Sequence, residues 1–180
     1  GLPERSTTRG TTMDLNRRLT SGHESLMGAK AESSPRLPEH VPALNELMAD
    51  MLVVEHKCRA FRWTVKGPRF FELHDKFQAL YRSASVDIDD VAMRIAALGG
   101  RPLLTLESAL GTAVLPEARE PLAAQRMIES LAVDFTSLLG TLRAVGAQAE
   151  VVGDTATFNL LGDQADELEK SLWMLRAWLG

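Results

Sequence analysis

Few side chains in this sequence can do chemistry. Four histidines (His23, His40, His56 and His74), one cysteine (Cys58) and the acidic group Asp87, Asp89 and Asp90 stand out. Imidazole and carboxylate are the groups that hold metal ions or move protons. Read one at a time, each has a plain structural role. The histidines read as surface or capping residues, and the three aspartates as a solvated face. Trp63 reads as a packing residue at the end of a helix. Asp154 reads as a helix N-cap. Cys58 falls on an apolar stripe and reads as a buried, inert thiol, and the methionines read as core gap-fillers. A lone cysteine excludes an internal disulfide framework and a Cys-rich zinc site, and points to a reducing, cytoplasmic setting.

These residues sit in four long helical patterns. The first carries Leu44, Leu47, Met51, Val54, Cys58, Phe61 and Val65 at alternating steps of three and four, and stops at Gly67-Pro68. The second runs Leu73, Phe77, Leu80, Ala84, Ile88, Val91, Ile95 and Leu98, and stops at Gly99-Gly100. The third carries Ile128, Leu131, Phe135, Leu138, Leu142 and Val145. The fourth, opened by Gly153 with Asp154 or Thr155 as N-cap, carries Leu161, Ala165, Leu168, Leu172, Leu175 and Leu179. Four apolar stripes that each need a partner face predict an all-α four-helix bundle. The short link at 66–70 makes the first two helices antiparallel neighbours. The long link at 99–120 predicts a short extra helix over Leu103 to Leu110, and suits a crossover bundle of the ferritin kind better than a simple up-and-down bundle, with a decorated hairpin as the alternative.

The chain has 180 residues and a net charge of -4, which excludes coating of nucleic acid by whole-chain positive charge. It has no apolar run long enough to span a membrane, and Gly1-Leu2-Pro3-Glu4-Arg5 lacks the apolar core of a secretory signal. Residues 1–38 differ from the rest. They carry six basic and four acidic residues in a Ser-, Thr-, Gly- and Pro-rich context, while the remainder is net acidic. We expect a flexible N-terminal arm over 1–38, with material for one short helix at 14–30, and a folded domain over 39–180.

Three segments together carry a resemblance. The first is Phe61-Arg62-Trp63-Thr64-Val65-Lys66-Gly67-Pro68 followed by Phe70-Phe71-Glu72-Leu73-His74, Phe77 and Tyr81. The second is Asp89-Asp90-Val91-Ala92-Met93-Arg94-Ile95 running into Leu98-Gly99-Gly100-Arg101-Pro102. The third is Gly153-Asp154-Thr155-Ala156-Thr157 with Leu160-Leu161, Leu168-Glu169-Lys170 and Trp173-Met174-Leu175-Arg176-Ala177. In combination they resemble the Dps family of mini-ferritins over about residues 40–180. The resemblance implies a ferritin-like subunit and a homododecameric shell with two-fold contacts through the second helix. It also implies uptake, peroxide-driven oxidation and storage of iron, and DNA binding through basic tails that shields DNA from oxidative damage.

The resemblance also implies an iron site between subunits. Its ligand positions here read Arg62, His74, Gln78, Asp89 and Met93, where the family pattern has His, His, a carboxylate, Asp and Glu. Only His74 and Asp89 survive. They stand about 22 Å apart on one helix at the usual helical rise, so one chain cannot bring both to one ion. Two antiparallel copies of the second helix, crossed near residues 81–82, would join His74 of one subunit to Asp89 of the next. Arg62 cannot ligate a cation, because it stays protonated and has no lone pair. Arg59, one turn earlier, adds positive charge, Gln78 offers only a neutral carbonyl, and Met93 is soft. Trp63 would lie near the site, and Asp154 resembles an iron-uptake pore position. The expectation is a degenerate ferroxidase site. The alternative is a shell-forming relative without ferroxidase activity, acting as a structural or DNA-associated protein.

Overall fold

A computed structural model describes residues 37–180. The arm reading and the helix suggested at 14–30 lie outside the described residues, apart from the last two positions of the arm. Five helices and no strand occur among the described residues. They are α1 (Val41–Thr64), α2 (Phe70–Ala97), α3 (Leu106–Thr112), α4 (Ala124–Val151) and α5 (Thr155–Leu179).

The apolar stripes form the core. All seven stripe residues of α1 and its C-cap, from Leu44 to Val65, are buried, as are Leu73, Phe77, Val91 and Ile95 of α2. Ile128 to Val145 of α4 and Leu161, Ala165, Leu172 and Leu175 of α5 close the same cluster. Helix α1 is buried beyond its stripe, at Met48, Ala49, Asp50, Val53 and Lys57, because α2, α4 and α3 all pack on it. The extra helix appears as expected, starting three residues and ending two residues further along the chain. Thr105 caps it by accepting the Ser108 N–H at 3.1 Å.

One polar cluster fixes the topology. His40 Nε2 lies 2.9 Å from Asp154 Oδ2, and Arg94 donates to Asp154 Oδ1 at 2.5 Å and to the Thr157 hydroxyl at 2.8 Å. The start of α1, the end of α2 and the start of α5 therefore share one end of the bundle. Since α4 joins α5 through the short turn at 152–154, α4 ends there too. It must run parallel to α2, and the connection from Leu98 to Ala123 must travel the length of the bundle. That is the crossover. Asp50 Oδ1 pins it midway, accepting the Val114 and Leu115 N–H groups at 2.7 and 2.9 Å. Two glycines make the end compact. Gly153 turns at φ +75°, and a Cβ on Gly100 would lie 2.7 Å from Val41 Cγ1.

Burial opposes ionisation of Asp154, but hydrogen bonds from the Thr157 hydroxyl and N–H and from His40, with the charge of Arg94, hold its carboxyl down to about 2. A depressed carboxyl pKa stabilises the fold above the unfolded value, near 4, and that stability is lost as pH falls through 2. Asp154→Asn is therefore expected to cost about 1–2 kcal/mol at pH 7, after allowing for solvent screening, and progressively less below pH 4. Urea denaturation at pH 7 and at pH 3 checks this, and equal losses at both would refute it.

Candidate functional site

The candidate site is assembled from the end of α1 and the outward face of α2. Phe71, Asp75, Gln78, Arg82, Val86, Asp89 and Met93 recur at steps of three and four, so they share one face of α2. Phe71, Val86 and Met93 on it are 82%, 62% and 70% exposed. Trp63, in the last turn of α1, is 64% exposed, with its ring edge-on to His56 at 6.1 Å. The reading of Trp63 as a packing residue is therefore corrected for the single chain, because the last turn of α1 rotates it outward.

Arg62 and His74 come together across the α1–α2 turn. His74 Nδ1 lies 3.1 Å from the Arg62 carbonyl oxygen. A carbonyl only accepts, so Nδ1 carries a proton, and in the neutral ring the lone pair is then on Nε2. This is how a metal-binding imidazole is oriented by a second partner. Phe70 packs against the ring at 5.1 Å between centroids. The Arg62 Nε is shut off from solvent and has no hydrogen-bond partner.

Arg59 is otherwise engaged. Its guanidinium pairs with Glu55 Oε1 at 2.5 Å and stacks over the Tyr81 ring at 4.2 Å. Glu55 also accepts from Ser85 Oγ at 2.8 Å, so this carboxylate is taken up inside the chain. Asp89 and Met93 stand exposed further along α2, away from His74. Among the described residues no three His, Cys, Asp or Glu side chains gather closely enough to hold a metal ion. Both oxygens of Asp154 are engaged within the chain, so a pore role for it rests on resemblance alone.

Sequence reasoning missed three polar groups. Lys57 donates to Asp134 Oδ2 at 2.7 Å in the core. His40, read as an ordinary surface or capping histidine, is 1% exposed and holds Asp154. Asp87, read as part of a solvated face, lines a cleft with Gln164 and Glu167. Only Lys57 left a signal, since it follows the buried positions Asp50, Val53 and Val54 at helical spacing. Cys58 is buried as expected, and burial foremost pushes its thiol well above the ordinary range.

A crossover four-helix bundle whose outward α2 face presents histidine and carboxylate positions defines a ferritin-like protein, and residues 41–180 match the ferritin-like domain family. The DNA protection during starvation protein of Brevibacillus brevis is 40% identical over 136 residues, covering 76% of this chain and 91% of the relative. Its Bacillus anthracis counterpart, DNA protection during starvation protein 2, is 39% identical over 77% of this chain and 95% of the relative. The crystal structure of Dps from Staphylococcus aureus superimposes with a TM-score of 0.77 at 35% identity, covering 79% of this chain and 95% of that one. The chain belongs to the Dps family within the ferritin-like proteins.

Proposed function

We propose that this protein builds a Dps-type shell that binds and stores iron and protects DNA from oxidative damage, with an inter-subunit ferroxidase site weakened by substitution. The relatives' names supply the protective role. One is called a general stress protein, and a structural neighbour from Vibrio cholerae is described as a member of the ferritin-like diiron-carboxylate superfamily. The single observation that carries the reading of the site is the geometry at the α1–α2 turn. His74 is oriented as a ligand, yet the position beside it holds Arg62, whose buried Nε lacks an acceptor. Asp89 of the partner subunit, brought over by two antiparallel α2 helices, would supply that acceptor and replace the metal with an ion pair.

Iron reaches such a shell as cargo, and the site keeps at most one imidazole and one carboxylate for it. Arg62 repels the cation, while Gln78 and Met93 donate poorly to it. The alternative reading, a shell relative with no ferroxidase activity, follows from the same Arg62. Anaerobic ferrous titration followed by peroxide, monitored by ultraviolet absorbance, tests both. Slow oxidation that His74→Ala lowers further is the result expected of the weakened site, and slow oxidation that it leaves unchanged is the result expected of the relative without ferroxidase activity. Rapid peroxide-dependent oxidation abolished by His74→Ala would overturn the degenerate-site reading. Light scattering on the same sample should report a homododecamer, and a stable monomer or dimer would refute the shell.

The protein is then a cytoplasmic one, and DNA contact falls to the basic residues of 1–38. The arm's excess of positive charge is small per chain and is multiplied by the copies in a shell. Gel retardation should weaken steeply with salt and vanish without residues 1–38. Retained binding after that truncation would place the DNA contact elsewhere.

A further inference from the structure

Helix α3 and the segment after it lie on α1 and leave a groove of about 250 Å³ between them, lined by Leu52 and His56 of α1 and by Leu106 and Leu110 of α3. Its floor is apolar, since Val53 and Ala109 are buried there. Leu106 and Leu110 stand at its edge, 74% and 48% exposed. The crossover is pinned on both sides of them. Asn45 donates to the Arg101 carbonyl oxygen at 3.2 Å ahead of α3, Thr105 caps the helix, and Asp50 takes the Val114 and Leu115 N–H groups behind it. The two leucines are therefore displayed outward by a fixed element. Lys57 and Glu55 also border the groove, but they are engaged with Asp134 and with Arg59 and Ser85. His56 and Glu117 are left as its polar rim. An apolar ridge beside an apolar depression on one subunit suits a self-complementary contact, in which the same patch serves both partners.

The position of the groove relative to α2 says what covers it. Arg59 stacks over Tyr81 and Glu55 accepts from Ser85, so residues 55–59 of α1 lie level with residues 81–85 of α2. That is the level at which two antiparallel α2 helices cross in the two-fold contact. The axis of such a pair runs perpendicular to the helices and along the interface, so a surface level with the crossing faces its own copy. The groove occupies those same turns of α1, with Glu55 at its border toward α2. An α2 pair alone is also too small. Helix α2 has 28 residues, and one face of it presents about eight of them at 3.6 residues per turn. A stable interface takes roughly 20–30 residues from each side.

We propose that a second copy of this chain covers the groove: Leu106 and Leu110 of each subunit pack against the α1–α3 groove of the other. The apolar floor becomes the core of the contact, and His56 and Glu117 lie at its rim. The proposal rests on the two-fold α2 contact and extends it across α1 to the crossover.

The test labels full-length protein with a maleimide and maps the modified cysteine by peptide mass. Cys58 is buried and stays unlabelled in the folded chain. Leu106→Cys should react about tenfold or more slowly in the native assembly than in the same chain unfolded in urea, because a covered thiol is shielded from the reagent. Val86→Cys reports on the α2 contact in the same way. Protection at both positions supports the proposal. Free labelling of Leu106→Cys with Val86→Cys protected overturns it and leaves the α2 contact standing. Free labelling of Val86→Cys overturns the α2 contact and this proposal together. Leu106→Glu with Leu110→Glu, placed in the Val86→Cys chain, should speed labelling of Val86→Cys by about tenfold, since unpaired charge is then driven into the contact. Unchanged labelling there would show that α3 is covered by some other surface, and would also overturn the proposal.

Discussion

Changing Arg62→His, Gln78→Asp and Met93→Glu together should raise the rate of peroxide-dependent ferrous oxidation by about a hundredfold, the upper range seen when ligand environments are restored or lost. The triple change supplies an imidazole and two carboxylates to join His74 and Asp89. The scaffold for it is present. His74 already donates its Nδ1 proton to the Arg62 carbonyl, a backbone group that the substitution leaves in place. Gln78 and Met93 sit on the outward face of α2, where a new carboxylate meets water before it meets a partner, so neither strains the core. Arg62→Ala alone should not confer activity, since it removes the repelling charge without adding a ligand. It should instead loosen the proposed two-fold contact, in which Asp89 of the partner subunit would be left unpaired. Stopped-flow absorbance on the unaltered, single and triple proteins decides the matter. A triple variant no faster than the parent would show that Arg62, Gln78 and Met93 are not what silences the site.

Lys57→Ala should destabilise the fold by about 3–5 kcal/mol, the usual loss when one member of a buried ion pair is removed. Lys57 and Asp134 meet at 2.7 Å with side chains 2% and 4% exposed, on helices α1 and α4. Burial pushes the Asp134 carboxyl up, Lys57 pulls it back, Asp50 adds repulsion, and the net direction is upward. A carboxyl whose folded pKa is raised binds more protons folded than unfolded, so its contribution to stability falls as pH rises through that window. Without Lys57 the rise is larger. The loss in Lys57→Ala should therefore be smaller at pH 5 than at pH 8. Replacing both residues, as Lys57→Met with Asp134→Leu, should be nearly neutral or stabilising, because neither charge is then buried. Urea denaturation at fixed protein concentration measures all three proteins. A loss for Lys57→Ala below about 1 kcal/mol, the scale of an exposed pair, would show that the pair is solvated.

The difference between what the sequence revealed and what it concealed follows from the range of the signals. An apolar stripe is local, and Leu44 to Val65 already states which face of α1 is buried. The cap on α5 is local too, since Asp154 stands three residues before the Thr157 N–H that it accepts. The partners His40 and Arg94 lie 114 and 60 residues away from it, and nothing near Asp154 names them. Asp87 and Gln164 are likewise 77 positions apart. Their meeting depends on how α2 and α5 are rotated about their axes, which a stripe with ambiguous edges does not fix. Lys57 was passed over because an apolar count ignores a lysine, even one at a core position. At the ferroxidase positions the residue types were legible from the resemblance, while the tautomer of His74 and the stranded Nε of Arg62 needed coordinates.

The crossover also has an electrostatic result. Because α2 and α4 run parallel, they occupy diagonal corners, and each helix packs beside helices that run the opposite way: α1 and α5 each lie between α2 and α4. A helix carries roughly half a positive charge at its N-terminus and half a negative charge at its C-terminus. At the Asp154 end, the N-termini of α1 and α5 therefore alternate around the bundle with the C-termini of α2 and α4. The four macrodipoles oppose one another in pairs and largely cancel along the bundle axis. Asp154 lies at the positive end of α5 and Arg94 in the last turn of α2, so each side chain bears the charge opposite to the helix end it occupies. The cluster that closes the bundle thus also neutralises locally what the alternating helices cancel at longer range.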